Sequence, residues 1–571
     1  MKRILDIVNN KLKNSFNLND QDLARCSVSE PVAKFVDRYD ISLNHAMVLS
    51  KKIDKSPIEI FEFIKTEIKN STVGNFITEI DFIAGFINIS VAPEFWHDVA
   101  ILAYKNSSFF FADHGNGEKV NIEYVSANPT GPMHIGHARG AVYGDILANI
   151  LAKSGFDVTR EYYINDAGSQ IQTVLKSLRF RVAQVLAKDF SESIPAGCYP
   201  GDYLIDAANK MIDKFGANII DKWDTMYNEI YDFTIQSMMD IIKIDLARLG
   251  VFHDVFSSEK KLSDSGCVAE SFDDLKSRDL IYKGTIEKPK GGSDDRDWEM
   301  NEQFLFRSSN FGDDSDRAIM KSDGSWAYFM PDIAYHYDKF KRGFKNMILV
   351  LGSDHKGYKK RISAAVEAIS NGNAKINVIL AEIVNFVKNG EPVKMSKRAG
   401  NFLTLADVIE EIDPQILRFF LITKKNDTIV DFDFARVLEQ SKDNPIFYIQ
   451  YANTRINSIM NKITESGFNI DECDIKNVCK INHPKQCKIL AKISQLPNLV
   501  EYICKNHEPH LLCNALLDIA SLFHSLYSDN DFKFLTNDKS QLSANVIFLK
   551  VAHGVIHSSL EAFGIEAMDK M

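Results

Sequence analysis

Ser126-Ala-Asn-Pro-Thr-Gly-Pro-Met-His-Ile-Gly-His137 breaks the chain with two prolines and a glycine, then sets two histidines three positions apart ahead of an amphipathic run. Upstream, Val120-Asn-Ile-Glu-Tyr-Val125 reads as a strand. Downstream, Ala141, Ile146, Leu147, Ile150 and Leu151 form the apolar face of a helix that Gly155 is placed to end. Val158 to Ile164 is a second strand. Strand, helix and strand make a βαβ unit, the start of a doubly wound parallel sheet. The spacing predicts His134 and His137 on one face of the helix's first turn, where unpaired N–H groups and the helix dipole favour an anion. Two extra donors there suit a nucleotide triphosphate.

A later strand, Met347-Ile-Leu-Val-Leu351, runs into Gly352-Ser-Asp-His355, which puts polar residues past a second carboxyl end, the edge where open α/β sheets bind ligands. Long helices and a charged loop, Lys288-Pro-Lys-Gly-Gly-Ser-Asp-Asp-Arg-Asp297, separate the two halves as an insertion over about 180–300. Ahead of this domain, Ile58, Ile60, Phe61, Ile64 and Ile68 give a helix face. There Asp81-Phe-Ile-Ala-Gly-Phe-Ile-Asn-Ile89 reads as a buried strand broken by Gly85, and residues 112–118 read as a polar linker. From about 430 helical periodicity dominates, as in Asn444 to Ile459 and Leu511 to Tyr527. The expected organisation is a small α/β domain over 1–115, a Rossmann-like catalytic domain over 116–430 and an all-α domain over 431–571.

The bulk properties bound what such a chain does. At 571 residues it exceeds one hydrophobic core, and its 45% hydrophobic, 25% charged composition is that of a folded globular protein. A net charge of −10 neither requires nor excludes a nucleic-acid partner, because RNA binding needs a local basic face. The start lacks the apolar core of a signal peptide, and no apolar run approaches a bilayer's thickness. The eight cysteines contain no Cys-x-x-Cys pair, which suggests a reduced, cytoplasmic protein. Cys473, Cys479, His483 and Cys487 cluster, but their spacing fits no common zinc site, and no structural metal is expected.

The second strong signal is Lys394-Met395-Ser396-Lys397-Arg398-Ala-Gly-Asn, a short cationic loop able to hold a departing pyrophosphate. Alone it would read as a solvated surface loop. Following the histidine motif in this chain order, it resembles the paired signature of class I aminoacyl-tRNA synthetases. Within that class, the contexts of both histidines, Arg160-Glu-Tyr-Tyr-Ile-Asn-Asp-Ala-Gly168, Phe311-Gly-Asp-Asp-Ser-Asp-Arg317 and Tyr328-Phe-Met-Pro-Asp-Ile-Ala-Tyr335 are similar to arginyl-tRNA synthetases. So are Asp40-Ile-Ser-Leu-Asn-His-Ala-Met47 and Asn444-Pro-Ile-Phe-Tyr-Ile-Gln-Tyr-Ala452, and the resemblance covers nearly the whole chain.

The resemblance implies that arginine's carboxylate attacks the α-phosphate of Mg-ATP, pyrophosphate leaves, and the arginyl group passes to the 2′-hydroxyl of the terminal adenosine of tRNA(Arg). His134 and His137 would stabilise the transition state at the α-phosphate; Lys394 and Lys397 would hold the β- and γ-phosphates. Gly136, Gly352, Asp354, His355, Met395 and Ser396 would complete the ATP site, although Gly352 to His355 reads nearly as well as a structural turn. A guanidinium is a planar fork that pairs best with carboxylates. The family's arginine contacts fall on Glu123, Asn128, Tyr328 and Asp332. Without that context Glu123 is an exposed strand acid and Asp332 a first-turn acid. Tyr328 and Asp332 would share a helix face at i, i+4, unless Pro331 starts the helix and leaves Tyr328 outside it. Such a charged pocket rejects competitors without proofreading, so the insertion is not expected to edit.

On the tRNA side the resemblance implies Asn44 at the tRNA elbow and Tyr448, Gln450, Tyr451 and Arg455 in the anticodon-binding domain. Aromatics with a cation suit stacking on splayed bases, and equally suit a helical core. Asn453-Thr454 and the ending Gly564-Ile-Glu-Ala-Met568 depart from the family pattern. Asn165 and Asp166 lie in a family motif without an assignable role. A monomer is expected, with no DNA or membrane partner. A cysteinyl or glutamyl enzyme is the rival within the class, but no zinc ligands are spaced for the former. An RNA-binding paralogue without catalysis is the rival outside it, and such proteins usually lose one of the four signature residues present here.

Overall fold

The computed structural model describes residues 1–36, 38–187, 190, 192–286, 301–388, 391–392, 403–439 and 444–570. Both Lys288 to Asp297 and the lysine loop Lys394 to Arg398 lie outside the described residues. The chain divides into two compact units, residues 113–439 and residues 1–112 together with 440–571. No helix among the described residues is long and apolar enough to cross a membrane.

The unit over 113–439 is built on five parallel strands in the spatial order Lys375–Ala381, Asn346–Gly352, Lys119–Glu123, Asp157–Ile164, Val255–Ser258. Chain order reverses between Lys119–Glu123 and Asn346–Gly352, and the crevice beyond that switch point is where doubly wound sheets bind ligands. The helix Ala138–Lys153 connects the first two strands and buries Ala141, Ile146, Leu147, Ile150 and Leu151, as its periodicity predicts. It ends at Gly155, whose φ of 83° is the left-handed conformation of a helix C-cap. The structure differs from the sequence reading of 180–300 in one respect that matters. After the helices Ser169–Leu186, Tyr203–Phe215 and Tyr227–Arg248, the chain returns to the sheet as Val255–Ser258, pairing with Glu161 to Ile164. A four-residue strand carries too little periodicity to be read locally.

Residues 112–118 are not a loose linker. Their backbone N–H groups at His114 and Gly115 donate to the carbonyl of Ser154, and that of Gly117 to Gly155, closing the end of the helix Ala138–Lys153.

In the other unit a four-stranded antiparallel sheet runs in the order Val28–Ser29, Ile41–Leu43, Phe86–Val91, Ile77–Ile83. The stretch read as one strand broken at Gly85 is therefore a hairpin. Ala84 and Gly85, with φ of 51° and 88°, form the two-residue turn whose twist matches paired strands. The tail is helical, from Pro445–Glu465 to Lys539–Ala562. It shares its packing with the N-terminal residues: His97 Nε2 bonds the carbonyl of Ile481 at 3.0 Å, and a Cβ on Gly554 would meet the Ser107 side chain at 2.6 Å.

Candidate active site

Past Glu123 the backbone turns sharply. Val125 and Ser126 take φ of 71° and 42°, a conformation that costs a β-branched residue energy and concentrates at functional sites. The proline-glycine turn follows, with Gly131 pressed so close to the Tyr203 ring that a Cβ would sit 2.5 Å from it. His134 and His137 then frame a short 3₁₀ turn, Ile135–His137, and the α-helix starts only at Ala138. Both imidazoles thus precede the helix rather than sharing its first turn; the tighter winding leaves the rings 6.0 Å apart and nearly perpendicular.

The backbone orients both rings through Nδ1. His134 Nδ1 accepts from the Gly136 N–H at 2.9 Å, which puts the ring proton on Nε2. His137 Nδ1 lies 3.1 Å from the carbonyl of His134 and donates to it. Gly136 admits little else: a Cβ would meet His134 Nδ1 at 2.8 Å. If the turn serves the adenylate chemistry that the sequence resemblance implies, replacing Gly136 by alanine should turn His134 away and lower that rate about tenfold or more. An unchanged pyrophosphate-exchange rate in Gly136→Ala would count against that geometry.

The turn is also bound to residues 403–405. Ile135 N donates to the Leu403 carbonyl, Leu405 N donates to that of Met133, and His134 bridges Thr404. Residues 403–405 thus pair with 133–135, and the first described residues after Lys394, Met395, Ser396 and Lys397 lie beside the histidines. Arg139, 2% exposed, donates to the carbonyls of Glu382, Lys425 and Thr428 and ties the histidine helix to the segments at 382 and 425–428. Gly352, Asp354 and His355 are exposed beyond the carboxyl end of Asn346–Gly352, the strand adjacent to Lys119–Glu123.

A second feature of the same sheet edge is a group of acids. The helix Phe329–Lys341 carries Asp332 in its first turn. Tyr328 is its N-cap with helical φ and ψ, and Pro331 occupies the third helical position, where its missing N–H is not needed. Tyr328 therefore keeps its i, i+4 relation to Asp332, and it is 60% exposed. Burial pushes the Asp332 carboxyl up to about 7, with Glu259 and Glu123 adding to the rise and Tyr358 and Arg361 opposing it. Glu259, first residue of the helix Glu259–Asp264, is raised for the same reasons, burial first and then the nearby Asp166, against a contact from Tyr163. Glu123, at the end of its strand, has protein partners on both oxygens. Lys339 Nζ lies 2.6 Å from Oε2, and Ser126 Oγ donates to Oε1 at 3.0 Å. Asn128 is exposed and donates to Gln170 at 3.0 Å.

Glu259 and Lys339 were not legible in the sequence, and Asp166 had no role. Asp166 accepts from Ser258 Oγ at 2.6 Å and from Lys260 N at 2.9 Å, holding the start of the helix that presents Glu259. A Ser-Ser-Glu run after Val-Phe is the only local signal, an N-cap at Ser258.

The helical tail separates the remaining candidates. Arg455 stacks between the rings of Tyr451 and Tyr527, 4.0 and 4.5 Å from their centroids, and both tyrosines are more than 40% exposed. Tyr448 packs its ring 4.4 Å from His524. Gln450 is engaged within the protein. It is 2% exposed, and its amide bonds the carbonyl of Glu566 and the N–H of Met568, so it pins the C-terminal segment. Asn44 likewise spends its amide on Arg25 and Ser27 of its own domain. Asn453 serves the tail as well, donating to Met568. Among the described residues no group of three or more His, Cys, Asp or Glu could hold a metal ion.

A parallel sheet with its switch-point histidine turn, joined by backbone to residues 403–405, points to a class I aminoacyl-tRNA synthetase, and residues 99–463 match the family "tRNA synthetases class I (R), catalytic domain". Residues 2–91 match the "Arginyl tRNA synthetase N terminal domain" and 449–571 the "DALR anticodon binding domain". The chain belongs to the arginyl-tRNA synthetase family. It is 46% identical over 542 residues to an arginine–tRNA ligase of Wolbachia pipientis, covering 93% of this chain and 92% of that one. It is 42% identical over 546 residues to one of Roseobacter denitrificans, at the same coverages. The arginyl-tRNA synthetase structure of Thermus thermophilus, 17% identical, shares the fold over all of both chains with a TM-score of 0.74.

Proposed function

We propose that this chain joins L-arginine to tRNA(Arg), forming arginyl-adenylate from arginine and Mg-ATP and then passing the arginyl group to the 2′-hydroxyl of the terminal adenosine. The observation that carries the proposal is the meeting, at one sheet edge, of the histidine turn with an acid cluster poised for a cation. ATP would lie across the turn, with His134 and His137 facing its α-phosphate, Gly136 allowing close approach, and Gly352, Asp354 and His355 on the nucleoside side. Lys394, Met395, Ser396 and Lys397 would meet the β- and γ-phosphates. Mg²⁺ comes with ATP, held on the phosphates more than by a protein cage. The attacking carboxylate is already ionised, so the step needs placement and charge stabilisation rather than a general base.

Asp332, Glu123 and Glu259 would receive the guanidinium and α-ammonium of arginine, with Tyr328 over the pocket and Asn128 exchanging Gln170 for the substrate's backbone groups. The tyrosine–arginine stack at Tyr451, Arg455 and Tyr527 suits anticodon bases, with Tyr448 behind it. We take the enzyme to act as a monomer in the cytoplasm. Tyr451→Ala should raise the KM for tRNA about tenfold while exchange at saturating tRNA is kept; an unaltered tRNA KM would return the stack to a structural role.

Pyrophosphate exchange with each of the twenty amino acids, with and without bulk tRNA, tests the assignment. Exchange with arginine alone is expected. Exchange with lysine or glutamate and not with arginine would overturn it.

A further inference from the structure

A buried cation stands beside the acids of the pocket. Lys339 is 1% exposed and its ammonium lies 2.6 Å from Glu123, itself 5% exposed. Its placement follows from helix geometry. Asp332, Tyr335, Lys339 and Arg342 recur at i, i+3, i+7 and i+10, one face of the helix Phe329–Lys341 and its cap, and this face lies over the carboxyl ends of the sheet. Beneath it Glu123 and Glu161 are register partners on neighbouring strands, so two buried carboxylates stand side by side. Arg342 takes both oxygens of Glu161 at 2.8 and 2.9 Å, and Lys339 takes Glu123. The Lys339 ammonium also lies over the Tyr335 ring, 4.1 Å from its centroid, and Tyr335 stacks on Tyr163 at 4.5 Å. The Tyr163 N–H in turn donates to Ser126 Oγ, which donates to Glu123. Glu123 is therefore held from both sides by a closed set of contacts.

We propose that Lys339 is the positioning residue of the arginine pocket: it matches the charge of Glu123 and aims that carboxylate, leaving Asp332 and Glu259 as the acids whose charge the substrate must match. Among the described residues Asp332 and Glu259 are hydrogen-bonded by the hydroxyls of Tyr358 and Tyr163, and they face a ligand with two cationic groups, a guanidinium and an α-ammonium. A carboxylate has about four lone-pair sites, so Glu123 keeps room for a guanidinium N–H beside its two partners. The other cations of this helix and its cap are spent elsewhere, Arg342 on Glu161 and Lys341 on Glu270, while burial and Lys339 lower His336 to about 3, and its ring is neutral. Around Asp332 stand Glu123 on the strand, Glu259 on its helix, Tyr358 and Arg361 on Tyr358–Ile369, and Tyr163 and Tyr328. Removing the Lys339 charge would force the substrate to bind among three unmatched carboxylates, which resist ionising together.

The inference rests on reading this pocket as the arginine site, and Asp332→Asn separates the two. Lys339→Gln and Lys339→Arg are assayed by pyrophosphate exchange with saturating tRNA across pH. Lys339→Gln should raise the KM for arginine about tenfold or more, leave that for ATP within about twofold, and move the acid limb of kcat/KM for arginine to higher pH. Lys339→Arg should return both towards the parent. Equal changes for arginine and ATP with an unmoved acid limb would make Lys339 merely structural and overturn the inference. Should Lys339→Gln not fold, Lys339→Arg decides: a retained arginine KM and limb support the inference, a defect on the ATP side defeats it. If Asp332→Asn also leaves the arginine KM unchanged, it is the pocket reading that has failed.

Discussion

Asp332→Asn is expected to raise the KM for arginine about a hundredfold or more and to leave that for ATP within about twofold. Asn keeps the shape and a hydrogen-bond acceptor but not the charge, so the loss measures the electrostatic part of guanidinium recognition. The same substitution reads out in pH. Burial holds the Asp332 carboxyl at about 7 against an ordinary 3.8, so arginine meets it partly protonated at neutral pH. Binding a cation favours the ionised form; kcat/KM for arginine should fall as pH drops through about 7, and binding should release a proton. Calorimetry near pH 6.5 in buffers of different ionisation enthalpy detects that proton, and the variant should release less.

The sign for stability is opposite. A carboxyl raised on folding binds more protons in the folded state than in the unfolded one between 3.8 and about 7, so stability is lost as pH rises through that window. Asp332→Asn removes the penalty. The variant should melt higher than the parent at pH 8 and near it at pH 4, while binding arginine worse. A variant that loses both stability and arginine affinity at pH 8 would mark Asp332 as structural.

His134→Ala is expected to lower kcat for adenylate formation about 10²–10³-fold with both substrate KM values within a few-fold, the pattern of a donor used in the transition state. His134 is only half-buried, so folding should be spared. The hydrogen bonds make the prediction finer. His134 presents Nε2–H, because Nδ1 is taken by Gly136. Gln, whose amide nitrogen reaches the Nε2 position, should recover part of the rate at 134. At His137, Nδ1 is spent on the carbonyl of His134, and Asn reproduces only that bond. His137→Asn should keep the turn and still lose the rate. A rise in ATP KM with kcat intact in either variant would show ground-state binding instead.

Much of this site was open to reading because it is local. The histidine turn, the strand before it and the helix after it lie within some forty residues, and their side-chain periodicity follows directly from backbone geometry. Even there the helix began later than expected: Ile135–His137 winds as a 3₁₀ turn, held by backbone bonds to residues 403–405 that no local pattern contains. The Tyr328 and Asp332 pair was undecided between two helix starts, and the structure chose Phe329. Gln450 shows a partner that no local pattern contains. A polar residue beside exposed aromatics reads as a binding residue, yet a backbone 116 residues away consumes its amide.

The sequence alone determined the doubly wound sheet, the histidine turn between its first strand and helix and, through its motifs, the family. Each depends on residue types a few positions apart, where chain geometry dictates who can meet whom. Only the tertiary structure brought Val255–Ser258 into the sheet, set Glu259 beside Asp332 and put Lys339 on Glu123, 216 residues away. It also packed the N-terminal residues and the helical tail into one unit. Such pairings are chosen by burial and charge matching among elements far apart in the chain, and a buried carboxylate selects its cation only after the core has formed around both.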